Sequence, residues 1–402
     1  MKQGDRVKSQ RHKLRIGLAG LGAASTHILR AMDAYKNMTV TAACDTRAEA
    51  RSAFEAQGRG KGFASVKEMA ESDLVDAVYV ATPNYVHCEH VLVAIENGKD
   101  VILEKPIAIT IEECDRMVEA AERSGVRVLA GHTHSFDAPI VAMADAIAKG
   151  LIGDVYMIHN AFYTDWMVRG RAADEYDTAR GGGVVFRQAP HGIDILRLLA
   201  QRPATRVLAR TSQMDQRHPT HGSFTAYIEF GPHLVSTITF SGYGFFDSAE
   251  ITWGRGELGG PRPVEVHGMQ RRKIFGFASA EEEQNYKNAC RFSGEEAEKW
   301  LSVLDCDESV RAQPFYGLTI ASGSKGDLRQ SEHGLYLYND DGRTEIPVPT
   351  AMLERDAELD MLYRAWRDDA KLESHDIVWA RDTMKIIFAL LESSKTGKPV
   401  NI

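Results

Sequence analysis

Over the first 135 residues, short unbroken apolar runs alternate with amphipathic stretches. Leu14–Ala19 is the first run, and the apolar spacing after Gly20 and Gly22 predicts a helix from about Ala24 to Lys36. A second run, Thr39–Cys44, stops at Asp45 and feeds an Ala-rich helical segment. Asp76–Ala81, Val101–Leu103 and Val126–Ala130 read as further buried strands, the first broken by Thr82-Pro83-Asn84. Ser65-Val66-Lys67-Glu68 and Thr110-Ile111-Glu112-Glu113 have the form of capping boxes, in which hydroxyl and carboxylate satisfy the orphan N–H groups of a helix start. Gly98 and Gly125 stand where C-terminal helix glycines belong, behind helices predicted over His87–Asn97 and after Thr110. Strands alternating with helices of this length imply βαβ units around a parallel sheet.

Beyond Phe136 the period changes. After a helix predicted over Ala138–Lys149 come longer alternating runs, Val155–Tyr163, Thr205–Gln213, Ser223–Phe230 and Leu234–Phe240. The last two are separated by Gly231-Pro232-His233, a hairpin spacing. The second domain therefore reads as α+β with a mostly antiparallel sheet. From Trp253 to Thr350 the pattern gives a Gly/Pro loop (Gly254–Pro263), a charged stretch (Glu281–Trp300), and edge strands near Gly317–Ala321 and Gly334–Tyr338. Helices over Glu354–Asp369 and Trp379–Thr396 close the chain. The expected division is 1–135 and 136–402, with the final helices packing back on the first domain.

A length of 402 residues fits two to three domains, and 44% apolar with 26% charged residues excludes wholesale disorder. No apolar run approaches the roughly 18 residues of a membrane span. The net charge of −8 argues against a nucleic-acid footprint. Five cysteines, Cys44, Cys88, Cys114, Cys290 and Cys306, form no C-x-x-C pair, so neither a disulfide framework nor a zinc knuckle is expected. The basic first thirteen residues lack the apolar core of a secretory signal, and a cytoplasmic enzyme is the expectation.

Gly20-Leu21-Gly22-Ala23-Ala24-Ser25 follows the first strand and matches G-x-G-x-x-G, with Ser25 in the third place. Glycine lets backbone approach a pyrophosphate, and the helix N-terminus supplies N–H donors and positive dipole. Gly20, Gly22, Ala23 and Ala24 are thus the expected pyrophosphate contacts. The second strand ends in Asp45, which suits ribose hydroxyls and repels a 2′-phosphate, favouring NAD; Arg47 leaves room for NADP. The bland alternative is a glycine turn beside an exposed acid.

Asp76-Ala77-Val78-Tyr79-Val80-Ala81-Thr82-Pro83-Asn84 followed by Glu104-Lys105-Pro106, taken with the glycine loop, resembles the Gfo/Idh/MocA family of nicotinamide-dependent oxidoreductases. The resemblance covers nearly the whole chain, including Gly181-Gly182-Gly183 and His191-Gly192-Ile193-Asp194. It implies a Rossmann domain joined to a C-terminal α+β domain with a large open, mostly antiparallel sheet for substrate binding and oligomerisation. Within the family, Gly131 to Asp137, Gly181 to His191 and Gln313 to Ile320 look most similar to dehydrogenases of 4,5-dihydro-4,5-dihydroxyphthalate, a cis-dihydrodiol.

The resemblance makes Lys105 and His191 the catalytic pair, and Thr82, Pro83, Asn84, His87, Glu104 and Lys105 cofactor-site residues. Lys105 ends a strand, where open α/β sheets bind ligands, and a partly buried lysine can approach the neutrality that proton transfer needs. Glu104 should point the other way and serve structure. Four residues before His191 the family usually has an aspartate, whereas this chain has Arg187. A cation there would lower neighbouring pKa values, or clamp a substrate carboxylate bidentately; a structural salt bridge is the competing reading. Pro190 leaves open whether Arg187 and His191 share a helical face. Thr164–Arg180, with Trp166, Arg169, Arg171 and Asp177, reads as a substrate loop in which the three glycines allow close backbone approach. Asp194 either orients His191 or makes a structural contact. His132 and His134, an H-x-H pair ending a strand, are assigned to the substrate site, with a structural role or zinc as lesser readings. No metal is expected. Phe245-Phe246 and Phe315-Tyr316 read as core or subunit contacts.

The leading expectation is oxidation of a secondary alcohol on a carboxylated dihydrodiol ring, ending in a catechol. Sugar or inositol oxidation is the second reading, and glycosidic cleavage through transient oxidation by held NAD a third, of a different class. The expected partners are a small substrate and further copies of the chain, as a homodimer or homotetramer, with neither nucleic acid nor membrane.

Overall fold

The computed structural model describes residues 13–131, 133–169, 171, 173–216, 218–263, 265–289, 312–349 and 354–402. Two units emerge. One holds the described parts of Met1–Gly131, Ala289–Glu298 and Arg355–Met384; the other those of His132–Asn288, Lys299–Glu354 and Lys385–Ile402.

The first unit contains β1 (Leu14–Ala19), β2 (Met38–Cys44), β3 (Lys61–Phe63), β4 (Ala77–Val80), β5 (Asp100–Glu104) and β6 (Val128–Gly131). All pair in parallel in the order β3-β2-β1-β4-β5-β6, so the winding reverses between β1 and β4. That is the point at which a doubly wound sheet opens a crevice at its strand C-termini. Both capping hydroxyls act as expected: Ser65 accepts from the Glu68 N–H and Thr110 from the Glu113 N–H, each at 3.2 Å. The returning carboxylates reach one residue further back, Glu68 to Ala64 N and Glu113 to Ile109 N. Helix Glu354–Arg367 contributes Leu359, Leu362, Tyr363 and Trp366 to the sheet's core, where each leucine adds about 1.5–3 kcal/mol of burial. The three-residue β3 was not foreseen, since its pattern runs from exposed Lys61 to buried Phe63 without an apolar run.

The second unit builds a nine-stranded sheet from β7 (Val155–Tyr163), β8 (Arg206–Ser212), β9 (Ser223–Glu229), β10 (Val235–Ser241), β11 (Leu318–Gly323), β12 (Gly326–Ser331), β13 (Gly334–Asn339), β14 (Gly342–Pro347) and β15 (Val400–Asn401). Its order is β14-β13-β12-β11-β7-β10-β9-β8-β15, antiparallel throughout except for the parallel pair β7/β10. Ile158, Phe162, Phe224, Ile228, Ile238 and Phe240 point into the core, under helices Ala138–Ala148 and Ala189–Ala200. The opposite face leaves Met157, Leu208 and Tyr227 exposed. The two expected edge strands are interior: β11 lies between β7 and β12, and β13 between β12 and β14. Sequence pattern missed β12 and β14 because their inward positions are largely polar or half-exposed, as in the exposed-to-intermediate β14. The charged stretch after Glu281 is helical over Ala280–Ala289, and its remainder lies outside the described residues.

Candidate active site

The glycine loop carries geometry that only part of its sequence requires. Gly20 sits at φ +91°, and a Cβ there would meet the Ala81 carbonyl oxygen at 2.9 Å. Gly22 is the N-cap of helix Ala23–Ala34; no side chain caps that end, and a Cβ on Gly22 would meet nothing within 4 Å. Ser25 is fully buried, its hydroxyl donating to the Gly20 carbonyl, which locks the turn from beneath. Asp45 follows β2 and accepts from the Leu21 N–H at 2.9 Å, the Arg47 N–H at 2.9 Å and the Arg47 side chain at 3.1 Å. Burial works to raise the Asp45 carboxyl, but these bonds prevail and hold it below the usual carboxylate range. An uncapped helix start behind a glycine with open space above it, flanked by an ionised acid, fits a dinucleotide: donors for the pyrophosphate, an acceptor for the ribose. Arg47 is bonded to that acid and to the Leu21 carbonyl.

Lys105 stands half-buried immediately after β5 and precedes a cis peptide bond to Pro106. Its surroundings are fixed from two sides. His87, 1% exposed, brings Nε2 to 2.8 Å from the Thr82 carbonyl and Nδ1 to 2.9 Å from the Pro106 carbonyl. It therefore ties the loop after β4 to the loop after β5, a structural role close to the expected site. Thr82 is further held by its hydroxyl against His90 Nδ1 at 2.9 Å, and Asn84 is buried in the turn Asn84–Val86 that leads into helix His87–Glu96. Glu104 is buried, accepting from the Tyr79 hydroxyl at 2.6 Å and from Arg355 at 2.7 Å. Despite burial, the Arg355 charge, with Lys105 and Tyr79, pulls the Glu104 carboxyl down to about 2. It serves as internal support for the strand that ends at Lys105, whose N–H it also accepts from at 3.3 Å.

In the second unit, His134, His191 and Tyr316 form one ring cluster. His134 lies 4.8 Å from both other centroids, and His191 lies 5.3 Å from Tyr316. His134 also meets Asp137 at 3.1 Å, while the Tyr316 hydroxyl donates to the Gln188 carbonyl at 2.7 Å. His134 sits in a 3-10 turn, Thr133–Phe136, so the expectation of a strand-borne H-x-H pair is corrected: β6 has ended at Gly131. His132 lies outside the described residues. Tyr316 is core, as expected, yet it also packs on both site histidines. Phe245 is 79% exposed, which removes the core reading for it.

Arg187 and His191 do not share one helix. Helix Gly183–Arg187 stops at Gln188 (φ −123°, ψ −36°), and a new helix, Ala189–Ala200, starts with Pro190 in its first turn, where proline's missing N–H costs nothing. Arg187 forms the salt bridge that competed with the clamp reading, to Glu175 at 2.7 Å. Arg169 is likewise engaged, with Asp165 at 2.7 Å and the Thr164 hydroxyl at 2.8 Å. Trp166 is fully buried, under the Arg171 guanidinium at 4.3 Å from its ring. Gly182 and Gly183 allow close approach by the protein itself: a Cβ on Gly182 would meet backbone atoms of Asp177 and Glu175 at 2.6–2.7 Å, and one on Gly183 the His221 carbonyl at 3.2 Å. Asp177 is exposed and caps the turn Thr178–Arg180; Asp194 is fully buried, 3.8 Å from Arg197.

Residues 14–132 match an oxidoreductase family with an NAD-binding Rossmann fold, and residues 140–270 match the GFO/IDH/MocA C-terminal domain. A 1-carboxy-3-chloro-3,4-dihydroxycyclohexa-1,5-diene dehydrogenase of Comamonas testosteroni is 31% identical over 385 residues, 95% of each chain. The chain belongs to the Gfo/Idh/MocA family. It is accordingly an NAD-dependent oxidoreductase. A solved protein of Bordetella bronchiseptica RB50 is 32% identical, with a TM-score of 0.89 over 97% of this chain and all of that one. An inositol 2-dehydrogenase of Klebsiella pneumoniae is 28% identical over 283 residues, 66% of this chain and 79% of that enzyme. Glu175, Asp137 and Arg355 escaped sequence reasoning. Only Asp137 carried a signal, three residues after His134, a spacing that one helical turn converts into a contact.

Proposed function

We propose that this oxidoreductase dehydrogenates a carboxylated cis-dihydrodiol to a catechol, with 4,5-dihydro-4,5-dihydroxyphthalate as the best substrate. The observation that carries the reading is the near end-to-end similarity to a dehydrogenase of a carboxylated dihydroxycyclohexadiene. The arginines of the loop around Trp166, Arg169 and Arg171, support it, since arginine recognises carboxylates.

The residues fit NAD as Gly20, Gly22, Ala23 and Ala24 at the pyrophosphate, Asp45 at the ribose, and Thr82, Pro83 and Asn84 along the neighbouring loop. Bound there, NAD supplies the acceptor for the hydride leaving the carbinol carbon. Lys105 takes the proton of the hydroxyl group, and its backbone is held for that task by Glu104 beneath and by the His87 tie at Pro106. His191 serves as hydrogen-bond donor or acceptor to substrate, in a ring position fixed by His134 and Tyr316. The hydroxy-dienone so formed tautomerises to the aromatic catechol, which drives the reaction forward. The uncovered sheet face around Met157, Leu208 and Tyr227 suits a second copy of the chain, giving a dimer or tetramer measurable by sedimentation.

NADH formation, followed by its near-ultraviolet absorbance, tests the reading across a panel of phthalate and benzoate dihydrodiols, inositols and aldoses. Turnover concentrated on carboxylated diols, and reduced roughly 100- to 10,000-fold in Lys105→Met, is the expected result. Turnover confined to inositols or aldoses would overturn the substrate claim while leaving the family intact.

A further inference from the structure

Helix Glu354–Arg367 brings a charge to the end of β5, where Lys105 begins. Arg355, in the first turn of that helix, stands 251 positions from Glu104 and lies outside the motifs around the glycine loop and Glu104-Lys105-Pro106. Its guanidinium reaches Glu104 Oε1 at 2.7 Å and Glu358 Oε2 at 2.9 Å. The Tyr79 hydroxyl donates to the same Glu104 oxygen at 2.6 Å. The other oxygen, Oε2, accepts from the Lys105 N–H at 3.3 Å. One carboxylate thus divides its work. One oxygen is anchored in the interior, and the other holds the backbone from which the lysine side chain departs.

Two buried acids share the guanidinium, and they share it unequally. Against burial, the Arg355 charge and then Lys105 pull the Glu104 carboxyl down to about 2. Burial prevails at Glu358 and raises its carboxyl despite Arg355, with Glu104 adding to the rise and His375 opposing it. The negative charge therefore sits on the acid that touches Lys105. Their attraction is mutual: the ammonium that stabilises the carboxylate is stabilised by it, and Arg355, a like charge on the same carboxylate, opposes that effect. The helix is seated in the core through Leu359, Leu362, Tyr363 and Trp366, so the guanidinium starts from a fixed base.

We propose that Arg355 is a positioning residue for the proton acceptor Lys105, acting through Glu104. It fixes the carboxylate whose second oxygen holds the lysine backbone, and it balances the negative charge that the lysine faces. The assignment rests on the Lys105 reading above and extends that site to a residue near the end of the chain. Displacing a catalytic group by about 1 Å can cost roughly a hundredfold in rate, so this hold bears directly on turnover.

The test uses the full chain with NAD and compares wild type, Arg355→Met, Arg355→Lys, Glu104→Gln, the Arg355→Met/Glu104→Gln double variant and Lys105→Met. Two readouts are taken: turnover of a carboxylated cis-dihydrodiol, and competitive acetylation of Lys105 across alkaline pH, read by peptide mass, which needs no substrate. Arg355→Met should lower kcat about tenfold to a hundredfold with KM for NAD little changed, and Arg355→Lys should stay within about threefold of wild type. The double variant should lose no more than the worse single variant, since both changes act on one carboxylate. The acetylation curves should move in opposite directions. At the pH where lysines deprotonate, Arg355→Met leaves an ionised Glu104 beside Lys105 without its counter-cation, and the curve moves to higher pH. Glu104→Gln removes the anion and leaves the cation, so its curve moves to lower pH. A general loosening of the fold exposes the lysine alike in both variants, and curves moving together would overturn the assignment. Wild-type kcat and an unmoved acetylation curve in Arg355→Met, beside an inactive Lys105→Met, would overturn it alone. Wild-type turnover in Lys105→Met would overturn the proton-acceptor reading, and the Arg355 assignment with it. A wild type without activity on the diol would overturn the proposed substrate and leave the decision on Arg355 to the acetylation curves.

Discussion

Arg355→Met in the first unit removes one cation from between two buried carboxylates. Arg355 reaches Glu104 at 2.7 Å and Glu358 at 2.9 Å, and those carboxylates are 8% and 0% exposed. Truncating one partner of a buried ion pair costs about 3–5 kcal/mol, because the other charge is left desolvated. Glu358 can escape by taking a proton, since burial already raises its pKa. Glu104 loses with Arg355 the leading cause of its low carboxyl, so burial is opposed only by Lys105 and the Tyr79 hydrogen bond and it too can take up a proton. The expected loss is therefore near the lower bound, about 3 kcal/mol, or roughly a hundredfold in an opening equilibrium. Hydrogen exchange of peptides covering β4, β5 and β6 reads this directly, without requiring two-state unfolding of a two-unit chain. Exchange there should accelerate about a hundredfold, while β8–β10 stay as protected as in wild type. Adding Glu104→Gln should cost less on the Arg355→Met background than alone, because the stranded charge is then gone. Protection of β5 within about threefold of wild type in Arg355→Met would refute the argument.

The same carboxylate sets an acid limit: a folded-state value of about 2 against an ordinary 4.5 means that its contribution is complete above pH 4.5 and fades as pH falls towards 2. Urea midpoints of the first unit should drop across that window in wild type and more shallowly in Arg355→Met. Asp45→Ser removes the acceptor held by Leu21 and Arg47, and should raise KM for NAD by about tenfold while lowering that for NADP, as steady-state kinetics would show. Gly20→Ala places a side chain at φ +91° against the Ala81 carbonyl; a loss of about 1–3 kcal/mol and weaker NAD binding are expected from denaturation and cofactor titration.

Much of the first unit was legible because parallel strands are buried on both faces and therefore appear as unbroken apolar runs. Val80 and Leu103, each fully buried, lead directly into the Thr82-Pro83-Asn84 and Glu104-Lys105-Pro106 motifs. The second sheet was legible where its faces alternate, as in β9 and β10, and illegible where inward positions are polar, as at Gln330 and Ser331 in β12. Some contacts of the site span long separations. Arg355, missed from sequence, reaches Glu104 over 251 positions, and the Tyr316 bond to Gln188 spans 128. No local pattern encodes such a meeting. The partner of Arg187 was hidden for a related reason: its acid, Glu175, lies 12 positions back in a 3-10 turn that polarity alone does not reveal.

Both units are completed by the tail of the chain. Leu359, Leu362, Tyr363 and Trp366 belong to the core of the six-stranded sheet, and β15 is the outermost strand beside β8 in the other. During synthesis, then, a ribosome that has passed the last long strand has finished neither unit. The nascent chain carries an uncovered Rossmann core and a β8 edge without its outer strand until its last helices emerge, a period in which chaperones have apolar surface to hold. A stop codon just after β14 would consequently be as damaging as one near the beginning, although every residue assigned to catalysis would already have been made.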